Sequence, residues 1–331
     1  MNSRIVLFDT KPYDEFFFAQ ENARFKFPIR YLSERLSPKT ADLAKGAPVA
    51  CAFVNDILDA RVLSILKKGG TGLIALRSAG YNNVDFKAAY RQRVHVVRVP
   101  AYSPYAVAEH ALALMMTLNR KTHKAYFRTR DNNFSIQGLL GFDMHAKTCG
   151  VVGTGKIGRV MIRILKGLGM EVTAFDPRPD RAYARRQGFR YVGLDDLFKR
   201  SDIVTLHCPL TRETYHLINA RTIARMKDGV MIVNTGRGKL IDTKALLQAL
   251  KKGKVGAAGL DVYEEESEYF FEDLSNQVLS DDVLARLLTF PNVLITSHQG
   301  FFTREALTNI ARTTLQNIDD FLRGRPLGNE I

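Results

Sequence analysis

Short, mostly apolar runs recur along the chain, separated by stretches whose apolar positions fall three and four apart. In the first hundred residues the runs are 5–8, 29–32, 49–54, 73–76 and 94–99. Runs this short fit strands buried on both faces, and the three-and-four spacing between them fits amphipathic helices. One such helix spans 59–68, with Asp59 placed to cap its start and Gly69 to end it. Alternating strands and helices predict a parallel sheet covered on both sides. The pattern then changes at Pro100 and Pro104. From Ser103 onward a broad apolar stripe through Val107, Ala111, Leu114 and Leu118 predicts one long helix reaching about Arg130. After Lys147 the alternation resumes, with strands expected at 171–175, 203–206, 230–233, 257–262 and 293–296 and a last helix over about 303–323. The fold class that follows is α/β, with two doubly wound parallel-sheet domains.

The second half opens on an apolar run from Thr148 that leads directly into Gly153, Gly155 and Gly158. This is G-x-G-x-x-G between a strand and a helix, the context in which the motif binds a dinucleotide. The first glycine permits the tight turn, the second lets backbone approach a pyrophosphate, and the third lets the helix pack on its strand. The amides that open the helix favour an anion. Asp176 ends the next strand, about 18 residues after Gly158. That is the expected place of an acid that accepts from a ribose 2′-hydroxyl. A carboxylate there repels a 2′-phosphate, which favours NAD over NADP, although Arg178 nearby works the other way.

Three further loops follow strands of this half. One carries Arg237 between Gly236 and Gly238, one carries Glu264, Glu265 and Glu266 after Asp261, and one carries His298 after Thr296. Loops at the carboxyl ends of parallel strands form the ligand edge of such sheets. Taken singly, each has a plain structural reading: a turn, a solvated acidic face, a structural histidine. Together they supply what reduction of a 2-keto acid needs. An arginine offers a planar fork to a carboxylate. A histidine gives a proton to the keto oxygen. A carboxylate beside the histidine orients the ring and favours its charged form. In the first half the loop after residues 73–76, running from Arg77 to Asn83, is either a turn or a binding loop.

Composition narrows the class. With 331 residues, 46% of them apolar and 25% charged, the chain is long enough for two domains with separate cores. No apolar run reaches a membrane span, and the start reads as a strand and not as a signal peptide. Cys51, Cys149 and Cys208 are too few and too scattered for a disulfide framework or a zinc site, so the expectation is a cytoplasmic protein with no metal. The net charge of +14 is the unusual value. The basic residues are dispersed, and clusters such as Arg181, Arg185 and Arg186 lie on predicted helix faces. The reading is therefore no nucleic acid and no membrane, with a positive field that attracts small anions.

These stretches resemble the D-isomer-specific 2-hydroxyacid dehydrogenase family over nearly the whole chain, and within it the bacterial fermentative D-lactate dehydrogenase branch. The resemblance is carried by 77–85, by 100–104 with 108–111, and by the 153–158 loop. It continues through 206–211, 234–238, 261–266 and 297–303, and residues 269–276 with 281–283 point to the lactate branch. It implies a flavodoxin-like substrate domain formed by 1–101 plus 300–331 and a Rossmann NAD domain formed by 102–299. It implies NADH-dependent reduction of pyruvate to D-lactate, with phenylpyruvate or a branched-chain keto acid as alternative substrates and an NADH-sensing corepressor as the non-enzyme alternative. Arg237 then grips the substrate carboxylate, His298 donates the proton, and Glu266 is its partner where Glu264 and Glu265 are not. Amides of Ala79 and Gly80 hold the carboxylate from the substrate domain, and Tyr102 and Phe301 flank the substrate. For NAD the resemblance adds Lys156 and Ile157 to the three glycines and Asp176, then Cys208, Pro209, Thr214, Thr235, Gly236 and Asp261. Gly236 stands where a side chain is usual, which is expected to loosen the Arg237 turn. The partners implied are the small 2-keto or 2-hydroxy acid and further copies of the chain, as a homodimer or homotetramer.

Overall fold

The computed structural model describes residues 5–266 and 269–331; the first four residues of the strand-like start lie outside them. The chain forms two compact units, one from Met1–Ser103 with Phe301–Ile331 and one from Pro104–Gly300.

The first unit is built on β1 (Ile5–Leu7), β2 (Ile29–Tyr31), β3 (Val49–Ala52), β4 (Leu73–Leu76) and β5 (His95–Val97). They pair in the order β2-β1-β3-β4-β5, all parallel. This is the flavodoxin-like order, whose switch point lies between its first and third strands. Alternate residues of each strand serve opposite faces. Ile5, Leu7, Val49 and Cys51 pack with Ala311, Leu315 and Ile318 of the helix Arg304–Leu322. Val6, Phe8, Ala50 and Ala52 pack with Val62, Leu63 and Leu66 of the helix Ala60–Lys68 and with Ala88 and Ala89 of Phe86–Gln92. The central strands β1, β3 and β4 are apolar on both sides because both sides are covered. Asp59 accepts from the Val62 amide at 2.8 Å and Gly69 closes the helix, as the residue pattern predicts.

The second unit holds β6 (Thr148–Val152), β7 (Glu171–Phe175), β8 (Arg190–Tyr191), β9 (Ile203–Leu206), β10 (Val230–Asn234), β11 (Val255–Leu260) and β12 (Val293–Ile295). All are parallel, in the order β12-β11-β10-β9-β6-β7-β8. This is the Rossmann order with one added strand, and the strand order reverses between β6 and β9. The expected pair of doubly wound parallel sheets is therefore present. β8 is a two-residue edge strand, too short for any periodicity to reveal it.

The long helix expected to reach Arg130 is broken. Pro104–Arg120 is one helix and Thr122–Arg130 another, with Lys121 between them at φ +51. The break falls where core contact ends: Leu118 is the last apolar residue of the first piece in the core, and the second piece buries none. Asn119 turns its amide to a different task, donating to the Phe142 carbonyl at 2.8 Å and accepting from the Phe142 amide at 2.9 Å.

Candidate active site

The glycine loop lies at the carboxyl end of β6, at the strand-order switch. Gly153 has φ +93, and a Cβ there would lie 2.6 Å from the His207 carbonyl oxygen and 2.8 Å from the Cys208 nitrogen, so only glycine fits between β6 and the loop after β9. A Cβ on Gly158 would lie 2.0 Å from the Gly153 carbonyl. At Gly155 a Cβ would meet nothing within 4 Å. Gly155 begins the helix Lys156–Gly167, and no side chain caps it. An open approach to uncapped amides, with the helix dipole behind them, fits a phosphate-bearing ligand.

Asp176 is tied to this loop. Its Oδ2 accepts from the Thr154 amide at 2.7 Å and hydroxyl at 3.0 Å, and its Oδ1 accepts from the Arg178 amide at 2.9 Å. Partial burial works against its charge, yet these hydrogen bonds hold the carboxyl below its ordinary value. The acid is thus fixed and charged at the tip of β7. Beyond β9, the Thr214 hydroxyl donates to the Pro209 carbonyl at 2.7 Å and accepts from the Thr211 amide at 2.7 Å, which pins the 209–214 loop. Burial pushes the Cys208 thiol up to about 11, so it is a neutral neighbour and not a nucleophile.

Arg237 follows β10 in a turn built by Asn234. That side chain is fully buried; its Nδ2 donates to the Arg237 carbonyl at 2.9 Å and its Oδ1 accepts from the Gly236 amide at 3.0 Å. The turn is therefore clamped despite Gly236. A Cβ on Gly236 would make only ordinary contact with Leu240, at 3.4 Å, so the glycine is not required by packing. Gly238 is required: a Cβ there would lie 2.0 Å from the Tyr263 carbonyl oxygen. That close approach presses the arginine turn against the acidic loop. Among the described residues the buried Thr235 hydroxyl has no hydrogen-bond partner.

Glu266 and His298 meet at 3.0 Å, Oε1 to Nδ1. The other glutamate oxygen accepts from the Tyr263 amide at 3.0 Å, which fixes the carboxylate from behind. Glu264 is engaged elsewhere, with His216 Nε2 at 2.7 Å and the Thr243 hydroxyl at 2.7 Å. Glu265 is exposed. His298 has a left-handed backbone at φ +49, which costs on the order of 1–3 kcal/mol and persists only where the surroundings impose it. Asp261 imposes it. Its carbonyl accepts from the His298 amide at 2.8 Å, its Oδ1 from the Gln299 amide at 2.8 Å, and its Oδ2 from the Gly300 amide at 2.8 Å. Both carboxylate oxygens of Asp261 are thus taken up by the protein. Phe271, itself at φ +70, lays its ring 5.9 Å from that of His298.

In the first unit the loop after β4 is anchored by Arg77. This buried guanidinium donates to Asp14 at 3.3 Å and to the Asp9 carbonyl at 2.6 Å, and it lies over the Phe53 ring at 4.7 Å. The carbonyls of Ala79 and Gly80 accept from Arg98 at 2.9 Å and the Ser78 hydroxyl at 2.8 Å. Their amides donate to no protein group among the described residues. Tyr102 and Phe301 are neighbours, with ring centroids 6.4 Å apart, and Phe53 joins them at 6.2 Å from Phe301. Phe53 was legible only as the residue after β3 at the ligand edge. Asn234 had no signal beyond its place at the end of a strand. Among the described residues no group of His, Cys, Asp or Glu is placed to hold a metal ion, and no helix is long and apolar enough to cross a membrane.

Comparison with known proteins places this geometry in context. A family model for the NAD binding domain of D-isomer specific 2-hydroxyacid dehydrogenases matches residues 112–300. The chain is 53% identical over 328 residues to the D-lactate dehydrogenase of Escherichia coli (strain K12), covering 99% of each. It is similar to the apo structure of D-lactate dehydrogenase from Escherichia coli, with a TM-score of 0.91 and 51% identity over 99% of both chains. It is also similar to D-lactate dehydrogenase with NAD+ from Lactobacillus jensenii, with a TM-score of 0.83 and 29% identity over 99% of both chains.

Proposed function

The chain belongs to the D-isomer specific 2-hydroxyacid dehydrogenase family, and on that premise we propose that it reduces pyruvate to D-lactate with NADH. The observation that carries the proposal is the Glu266–His298 pair in the same unit as the Arg237 turn and the open glycine loop. The cofactor is NAD. Gly153, Gly155 and Gly158 with the amides of Lys156 and Ile157 would hold its pyrophosphate, and Asp176 its ribose. Cys208, Pro209, Thr214, Thr235 and Gly236 would line its remaining length, with Asp261 acting through the His298 loop. When bound, the nicotinamide supplies the hydride or takes it up.

The protein's own part is to orient the acid and manage one proton. Arg237 binds the carboxylate with its fork, which fixes the angle of the keto group. His298 Nδ1 faces Glu266, so Nε2 is the nitrogen left to hold the proton that passes to the keto oxygen. Glu266 offsets the positive charge on the ring while it waits. In the reverse direction Nε2 accepts the hydroxyl proton of the 2-hydroxy acid. For Ala79, Gly80, Tyr102 and Phe301 of the first unit a substrate-binding role is proposed, and variants there should change KM for the keto acid more than that for NADH.

Self-association is part of the same reading. Phe134, Ile136 and Leu140 are 73%, 84% and 88% exposed, with Tyr126 and Phe127 also open on the preceding helix. An apolar run this exposed fits burial against a second copy of the chain. A cytoplasmic location is proposed from the three scattered, unpaired cysteines. The deciding experiment is NADH oxidation across a panel of 2-keto acids, with the product resolved by chirality. The highest kcat/KM with pyruvate and a D-lactate product support the proposal; a preference for phenylpyruvate or a branched-chain acid would replace the substrate, and no oxidation with any of them would end it.

A further inference from the structure

Helix Pro104–Arg120 contributes His110, to which neither the glycine motif nor the three ligand-edge loops assign a task. Its Nε2 lies 3.0 Å from the Thr296 hydroxyl and 3.2 Å from Asp261 Oδ1. The Thr296 hydroxyl has one hydrogen, and it goes to Asp261 Oδ1 at 2.6 Å. The oxygen of Thr296 can therefore only accept from His110, so Nε2 carries a hydrogen and shares it between Thr296 and Asp261. Asp261 is 1% exposed. Its carboxyl is held below its ordinary value against burial, with His110 and Thr296 as its side-chain donors. A Cβ on Gly300 would stand 2.9 Å from Asp261 Oδ2 and 3.6 Å from the His110 ring, so the glycine at 300 is what lets this cluster close.

We propose that His110 is a positioning residue for the proton donor. Three consecutive amides, of His298, Gln299 and Gly300, are anchored on Asp261, and His110 and Thr296 hold the same Oδ1 that takes the Gln299 amide. The chain of contacts runs from the helix to the buried carboxylate, from there to the strained backbone of His298, and so to the angle at which its ring meets Glu266. None of these four residues lies near another in sequence except Asp261 and Glu266. The inference rests on the reading of His298 as the proton donor.

The test uses the full-length protein and two substitutions. His110→Leu keeps bulk and removes the hydrogen; His110→Gln restores an N–H at similar reach. His110→Leu is expected to lower kcat for pyruvate reduction about tenfold or more, with NADH affinity and KM for pyruvate within about twofold of wild type. The isotope effect from deuterated NADH should rise as the chemical step becomes limiting. His110→Gln should recover most of the loss. Unchanged kcat in His110→Leu, or a Gln variant no better than Leu, overturns the proposal. The 15N shifts of the His298 ring nitrogens, compared between wild type and His110→Leu, give a readout independent of turnover. Should the wild-type chain reduce no 2-keto acid, the functional reading fails, while identical His298 shifts in both proteins would still reject the role of His110.

Discussion

Glu266 receives His298 on one carboxylate oxygen and the Tyr263 amide on the other, each at 3.0 Å. Two donors thus converge on one side chain, one on each oxygen. A glutamine at this position has a single acceptor oxygen, so one donor must face an NH2 group. Glu266→Gln should therefore turn or unseat the His298 ring and also remove the charge beside it. Turnover is expected to fall about 100-fold, with NADH binding kept. Steady-state kinetics and fluorescence titration with NADH check both halves of that statement.

Arg237 stands in a turn whose shape is set by its neighbours. Asn234 clamps the backbone, Gly238 packs on Tyr263, and the guanidinium itself donates to the Gly236 carbonyl at 2.7 Å. Arg237→Lys leaves the turn intact and replaces the fork by a point charge. The loss of charge-assisted hydrogen bonds should lower kcat/KM for the keto acid about 10- to 100-fold, mostly through KM. An unchanged KM for pyruvate would remove Arg237 from carboxylate binding.

The carboxylate of Asp176 serves two ends: it braces Thr154 in the glycine loop and presents a negative charge at the tip of β7. Asp176→Ala should lose both. NADH affinity is expected to drop about tenfold, and discrimination against NADPH should fall, because the repulsion of a 2′-phosphate is gone. Parallel titrations with the two nucleotides measure the ratio directly; a ratio equal to that of wild type contradicts the assignment.

Stability should depend on pH through the pair of Glu21 and Arg312. Glu21 is buried, and Arg312 reaches it at 3.0 and 3.1 Å from a half-exposed position. The hydrogen bond from Arg312 holds the Glu21 carboxyl below its ordinary value. A carboxyl lowered in the folded state adds stability that is present above its unfolded pKa and is lost as pH falls through the folded one. Arg312→Ala should lower Tm at pH 7, and the difference from wild type should shrink once the pH drops below about 4. Equal Tm values for the two proteins at pH 7 would show that the pair contributes nothing.

The fold was legible in the sequence because its signals are local. Apolar runs mark strands, and caps such as Asp59 mark helix starts. The glycine spacing with Asp176 marks the switch-point loop, since each of those residues acts within one strand–loop–helix unit. The break at Lys121 was not legible, because it depends on where the core ends and on Asn119 bonding to Phe142 far along the chain. The loops of Arg237, His298 and the acids could be found from their places at strand ends. Which of three consecutive acids faces His298 could not be found from spacing and came only from a family resemblance. No task for Asn234, Phe53, Phe271 or His110 could be read, although 108–111 and 234–238 carry the resemblance. Their importance lies in contacts across sequence gaps, and an asparagine that shapes a turn looks the same in a sequence as one that merely ends a strand.

The most direct measurement is the turnover of His298→Ala in pyruvate-dependent NADH oxidation, set beside its NADH affinity. With the proton donor removed and the glycine loop untouched, kcat should fall by about two to four orders of magnitude while NADH binds as in wild type. Near-normal turnover in that variant would contradict the assignment of His298 and, with it, the mechanism built on Glu266 and Arg237.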